Sequence, residues 1–278
     1  MAPWTPSARR SSFFIGTIAL ERNRWTPGRQ PTYRVSAWIP RFRQAGFDGM
    51  ELWEKHARWV DPREQVAIAE SGFPTAVLSS YVSLDEPDDT QRAEAVRLAR
   101  RIGAGAIKFN LGNDPAAYDS YIARLRDWRA LIPEHMRLLC ECHPGTVVDT
   151  PEAARCLVQQ LAPGRIDIII HPFIVPPTML CRWFDALGRA ITHAHIQLRD
   201  AQGRFVRLDR NLPLVQHALQ IMRSYGFYGS FTVEFTEGVG VDHEDPDAIF
   251  AAAVADLHTL KAFWNEETDP SCGCQGPS

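Results

Sequence analysis

The sequence predicts an α/β protein, a single (β/α)8 TIM barrel. Short apolar runs alternate with longer amphipathic ones along the chain, there are eight of the apolar runs, and the length of 278 residues is near the roughly 250 that such a barrel takes. Strict alternation of strand and helix calls for a parallel sheet with right-handed crossovers, and eight repeats of the unit allow that sheet to close. An open sheet built for a dinucleotide would carry a glycine-rich first turn. "GTIALERN" contains no G-x-G-x-x-G, so that reading loses.

The strands are expected at residues 13–20, 49–53, 75–78, 106–110, 137–141, 166–170, 191–197 and 230–235. The first, within "SARRSSFFIGTIAL", faintly resembles a twin-arginine export signal. Its apolar part is short, meets Glu21, Arg22 and Arg24 directly and has no small-residue cleavage site, so a strand explains it better. The second and eighth follow an echo, "GFDG" and "GFYG", read as a helix-to-strand turn in which Gly caps the helix and Phe plugs the barrel floor. Strand four places Lys108 and Asn110 on one face. Strand five runs into "ECHPGTVVDTPEAA", where Pro-Gly turns the chain and a helix starts with Asp149 or Thr150 as N-cap and Pro151 in the first turn. "DTQRAEAVRLARRIGA" and "DAIFAAAVADLHTLKAFW" repeat apolar residues at three- and four-residue spacing, as helices on the outside of a barrel should. No internal domain boundary stands out. One domain is expected over residues 1–278, with flexible ends at 1–10 and 266–278.

A net charge of −3 with interspersed signs leaves no basic footprint for nucleic acid and no polybasic patch for a membrane. No run approaches the ~20 apolar residues of a membrane span. The six cysteines are scattered, two of them, Cys272 and Cys274, in a Gly/Pro/Ser tail. That pattern points to reduced thiols and a cytoplasmic setting, while the charge balance points to partners or substrates close to neutral.

Catalytic groups in such barrels come from the C-terminal ends of several strands. Alternation puts Glu141 and His143 on one face, with Cys140 and Cys142 on the other, packed outward under a helix. A "CECH" zinc knuckle would need all four side chains on one side and is disfavoured. Strand six ends in His171. Strand seven, "ITHAHIQLRD", puts His193 and His195 on a face with Gln197 and Arg199, and strand eight ends in Glu234. Carboxylates and imidazoles at four consecutive strand ends converge in space and form a site for Mn²⁺, Mg²⁺, Zn²⁺ or Co²⁺. A lone histidine at a strand end is usually a satisfied core residue; four such groups on consecutive strands are a poor match to chance. His56, Trp53, Lys108, Asn110 and Arg199 are the expected substrate contacts, Lys108 because an inward lysine without a partner is costly. Trp25 could stack on a sugar ring.

"ECHPGTVVDTPEAA", "HAHIQLRD", "GFYGSFTVEF" and "GFDGMELWEKH" together resemble the xylose isomerase-like barrel superfamily of sugar isomerases and epimerases, with endonuclease IV a distant relative. The resemblance covers residues 14–264 and speaks to the superfamily, not to one substrate. It implies metal ligation by Glu141, His195 and Glu234. The family's fourth ligand is usually an Asp ending strand six; here His171 stands in that place and is expected to replace it, making the site less negative and favouring softer ions than Mg²⁺. Asp167 comes too early in the strand and is expected near the floor. The cofactor expected is a divalent metal, with Mn²⁺ the leading candidate. The resemblance implies abstraction of a proton α to a carbonyl, with His143, Glu141 and Glu234 the candidate bases and a sugar isomerase or epimerase the leading reading. The alternative is a lyase performing β-elimination on 3-keto-glycosides, as in C-glycoside deglycosidases. A homo-oligomer or a small second subunit is compatible with either. Nuclease action on abasic DNA conflicts with the acidic balance, and a non-catalytic barrel stays open through the altered strand-six residue.

Overall fold

A computed structural model describes residues 11–58, 61–161 and 166–265. Eight parallel strands close into a barrel: β1 (Ser12–Gly16), β2 (Gly49–Trp53), β3 (Thr75–Ser79), β4 (Ala106–Phe109), β5 (Arg137–Glu141), β6 (Asp167–Ile170), β7 (Ile191–Ile196) and β8 (Ser230–Val233). Each pairs with its neighbours in chain order, and β8 returns to β1 with Phe14 opposite Thr232. The expected ends 1–10 and 266–278, with Cys272 and Cys274, lie outside the described residues. No described helix is long and apolar enough to cross a membrane.

The strand expected over 13–20 is cut short. It ends at Gly16, and Thr17–Leu20 forms a 3-10 turn. Side chains take over the hydrogen bonds a strand would have made there. The Arg24 guanidinium donates to the Ile18 and Ala19 carbonyls, and the Thr17 hydroxyl accepts from the Trp53 amide at 2.9 Å. β8 also ends two residues early, yet Glu234 stays tied to the sheet through its amide and the Ile196 carbonyl, 3.0 Å apart. After β7 the chain makes a short antiparallel rim hairpin, Leu198–Arg199 with Phe205–Val206.

The Gly-Phe-x-Gly echo has a physical origin. Gly46 and Gly226 end helices at φ +87° and +69°, where glycine is favoured. The second glycines are demanded by crowding: a Cβ on Gly49 would lie 2.7 Å from the Pro74 carbonyl oxygen, and one on Gly229 2.1 Å from that of Thr192. Phe47 and Phe227 do not plug the barrel floor, as the sequence predicted. They join the apolar shell between barrel and helices.

Two apolar regions result. The large one fills the space between sheet and helices and includes Cys140 and Cys142, facing outward as expected. Cys140, Cys142 and Cys156 are free thiols. The small one is inside the barrel: Phe14, Ala76, Val77, Ala106, Leu139 and Ile169. Toward the floor, Asp167 accepts from the Arg137 guanidinium at 2.7 Å. Toward the C-terminal ends of the strands the interior gathers buried polar side chains, among them Glu51, Lys108, Glu141 and His195.

The helix Pro151–Gln160 starts as expected, with the Thr150 hydroxyl accepting from the Ala153 amide and Pro151 in the first turn. The final helix, Pro246–Asn265, carries a buried carboxyl, Asp256, that accepts from the Leu208 amide (2.7 Å) and the Thr236 hydroxyl (2.5 Å). Burial pushes its pKa up to about 7 against those two hydrogen bonds. The folded state therefore holds a proton that the unfolded chain releases near pH 4, so this group's contribution falls as pH rises from about 4 to about 7. Asn at this position keeps an acceptor for Leu208 and cannot ionise. In denaturant titrations, the stability of Asp256→Asn relative to wild type should improve between about pH 5 and pH 8, by roughly 2–3 kcal/mol. A pH-independent difference would contradict the burial argument.

Candidate metal centre

The polar upper half of the barrel interior gathers side chains from β2, β4, β5, β7 and the residues just after β6 and β8. Glu141 is its hub. Its Oε2 meets Lys108 Nζ at 2.6 Å and accepts from Asn110 Nδ2 at 3.1 Å. Its Oε1 lies 3.2 Å from His171 Nε2 and 3.2 Å from His195 Nδ1. Glu234 approaches the same two rings, Oε1 at 3.4 Å from His195 Nδ1 and Oε2 at 3.7 Å from His171 Nε2, and accepts from Gln197 Nε2 at 3.1 Å. The opposite edge of His195 faces Glu51, whose Oε2 is 3.1 Å from Nε2. Apart from half-buried Asn110, these side chains are buried.

Charge matching makes this burial tolerable. Burial would push Glu141 up, but the Lys108 charge and hydrogen bonds from His171 and His195 hold it well below the usual carboxylate range. Glu51 is likewise held low against burial by the His195 charge and by hydrogen bonds from His193 and His195. Burial would lower His195 and His171. For His195 the charges of Glu234 and Glu51 prevail and its pKa is raised well above an ordinary imidazole's; for His171 hydrogen bonds to Glu141 and Glu234 prevail. Lys108 is raised by Glu141 against its own burial.

One ligand atom each from Glu141, His171, His195 and Glu234 falls within 4.8 Å of the others. Two carboxylate oxygens and two imidazole nitrogens are a donor set suited to divalent transition ions. The His195 Nδ1 proton points between two carboxylates, the position in which a cation finds its ligands. The residues present fit a divalent metal.

The remaining sequence-predicted residues divide. Lys108 and Asn110 are in the cluster, both on Glu141. His143 stands just outside it, its amide donating to the Glu141 carbonyl and its exposed ring placing Nδ1 2.9 Å from the Pro144 carbonyl oxygen. A carbonyl only accepts, so the bond requires Nδ1–H and leaves the Nε2 lone pair free in the neutral ring. Three expected substrate contacts are elsewhere. Trp53 is 1% exposed and its indole N–H is spent on the Tyr81 hydroxyl at 2.6 Å. Both nitrogens of buried His56 are engaged by Thr17 and Glu21. Arg199 sits on the rim hairpin, its guanidinium 4.0 Å over the Phe205 ring and donating to the Gly203 carbonyl. Trp53 and His56 hold the loop after β1 in place. Arg199 lines a groove of about 1230 Å³ on the rim, together with Trp25, which is 57% exposed; none of the clustered side chains lines it.

Glu51 was missed as a site residue. The signal was present: one carboxylate inside "GMELW", an otherwise apolar strand, has to find a buried partner.

The chain matches the xylose isomerase-like TIM barrel family over residues 39–257. No curated protein matches it in sequence. Among solved structures, a probable 3-DHS dehydratase, AsbF, from Bacillus anthracis is 17% identical with a TM-score of 0.67, over 92% of this chain and 100% of that one. The IOLI protein, solved with a binding zinc atom, is 14% identical with a TM-score of 0.64, over 92% and 100%. The 3-keto-D-glucoside 4-epimerase YcjR from E. coli is 14% identical with a TM-score of 0.62, over 90% and 100%. At these identities the likeness establishes the shared fold.

Lys108 is the cation that Glu141 holds closest. Lys108→Met should leave that carboxylate short of charge and lower unfolding free energy by roughly 3 kcal/mol in metal-free protein, measured by denaturant titration. A variant as stable as wild type would show that His171 and His195 alone balance Glu141.

Proposed function

Because the chain belongs to the xylose isomerase-like TIM barrel family, we propose that it is a divalent-metal-dependent enzyme that removes a proton α to a carbonyl of a small carbohydrate, yielding an isomer or epimer. The observation that carries this reading is the buried convergence of Glu141, His171, His195 and Glu234 at the C-terminal mouth of the barrel, where enzymes of this architecture do their chemistry.

Those four side chains would hold the ion. When bound, it supplies Lewis acidity that stabilises negative charge building on substrate oxygen. Manganese is the leading candidate on the mixed oxygen and nitrogen donor set. The zinc in the IOLI structure keeps zinc in view.

The protein's own groups supply the rest. Glu141 already accepts from Lys108, Asn110, His171 and His195, which leaves it a weak base. His143 is the better candidate: exposed at the rim two residues after Glu141, with Nε2 open to take the α-proton and Nδ1 anchored to the Pro144 carbonyl. Returning that proton to the neighbouring carbon, while the hydroxyl proton passes from one oxygen to the other, gives isomerisation; delivery of a proton from water on the opposite face gives epimerisation. Gln197 orients Glu234 through the hydrogen bond it donates.

Support for a carbohydrate comes from the 3-keto-D-glucoside 4-epimerase of the same fold. Elimination is the second reading, favoured by the probable dehydratase among the neighbours. It begins with the same proton abstraction but expels a group from the β-carbon.

Two measurements test the assignment. Glu234→Ala should lose both stoichiometric metal and turnover. His143→Ala should keep the metal while kcat falls about 10²- to 10⁴-fold, the usual worth of a general base. Full activity in either variant contradicts the role assigned to that residue. Product analysis on a 3-oxo-glycoside separates the outcomes: a rearranged or epimerised sugar supports the leading reading, and a released aglycone supports elimination.

A further inference from the structure

"HAH" on β7 places two histidines on one face, and only His195 reaches the candidate metal ligands. His193 lies one step of the pleat deeper, nearly unexposed, and the mechanism above does not use it. Both rings turn Nε2 toward the same oxygen. Glu51 Oε2 lies 3.2 Å from His193 Nε2 and 3.1 Å from His195 Nε2. A carboxylate only accepts, so each contact requires an N–H on the imidazole. His193 is fixed in turn by Ser230, 2.7 Å from its Nδ1, by Thr232, 3.0 Å from its Nε2, and by the Phe14 ring stacked near it.

We propose that Glu51 is the positioning residue of the metal centre: its carboxylate takes the Nε2–H of His195, fixes that tautomer and turns Nδ1 to the ion, while His193 holds Glu51 in place. The inference rests on the metal-dependent reading above and deepens it. A carboxylate behind a metal-bound imidazole fixes the ring and raises its basicity, and loss of such a partner costs about 10- to 100-fold in metal affinity. Its location makes the arrangement stiff. Glu51 comes from β2 and His195 from β7, which are not neighbours in the sheet, so the bond spans the interior and is set by the barrel, not by a loop. The second histidine of the pair would then be explained without a second ion.

The alternatives predict other geometry. Were Glu51 a core residue that merely found a partner, one histidine would satisfy it. Were Glu51, His193 and His195 a separate metal site, His193 Nε2 would have to give up its bonds to both Glu51 and Thr232.

The test is a titration of chelator-stripped full-length protein with Mn²⁺, reading free ion by electron paramagnetic resonance. Wild type should bind about one equivalent. Glu51→Gln should bind about 10- to 100-fold more weakly, and Glu51→Asp, which keeps the charge but withdraws it by one methylene, about tenfold more weakly. With Co²⁺ in place of Mn²⁺, the visible absorption bands of folded Glu51→Asp should shift from those of wild type, a change that a purely structural role would not produce. Affinity and spectrum equal to wild type in Glu51→Asp overturn the inference while leaving the metal centre standing. Failure of wild type to bind either ion overturns the metal reading and this inference with it. If Glu51→Gln does not fold, the Glu51→Asp comparison decides alone.

Discussion

The constraint on which the rest of the structure depends is charge matching inside the barrel. Three carboxylates, Glu51, Glu141 and Glu234, sit with Lys108, His171, His193 and His195 in a space shielded from solvent. An isolated buried charge costs far more than any single contact returns, so each of these groups is tolerable only beside its partners. The partners come from strands distant in sequence. A closed parallel barrel delivers them because successive strands are held in register and alternate residues point inward. The apolar layer of Phe14, Val77, Ala106, Leu139 and Ile169 seals the lower half. Without that seal, water from the floor would screen the network and weaken every interaction in it.

A network so arranged does more than tolerate its charges. It sets their states. Glu141 and Glu51 are kept anionic, and Lys108 and His195 cationic. The result is a preorganised pocket whose donor atoms already converge, so a divalent ion exchanges with protons and does not have to assemble its own site. His171 is the unusual member. Where the family resemblance implies an aspartate at the end of strand six, an imidazole occupies the position and makes the set less negative, which shifts the preference toward ions that bind nitrogen well.

Much of this was legible from the residues. The alternation of apolar runs yields eight strands and their order, because a parallel barrel has one simple way to connect eight β-α units. Glu141, His171, His195, Glu234, Lys108 and Asn110 could be placed together by asking what each strand offers at its C-terminal end. Three kinds of information were not in the pattern. Thr17–Leu20 reads as strand by composition, but Arg24 takes its carbonyls, a contact no periodicity encodes. Trp53 and His56 lie at a strand end and look exposed to substrate; their hydrogen bonds to Tyr81, Thr17 and Glu21 depend on where the loops after β1 and β3 fold back. Glu51 was visible as a charge in an apolar strand, yet its partners lie across the barrel, 142 and 144 residues away.

The central claim is that Glu141, His171, His195 and Glu234 hold one divalent ion. The most direct measurement is anomalous diffraction from crystals soaked in Zn²⁺ or Mn²⁺. A single strong peak should appear enclosed by those four side chains, within metal-ligand distance, about 2.0–2.3 Å, of both histidines and both carboxylates. Soaked crystals with no peak there, or with a peak that His171 and Glu234 do not approach, would contradict the claim.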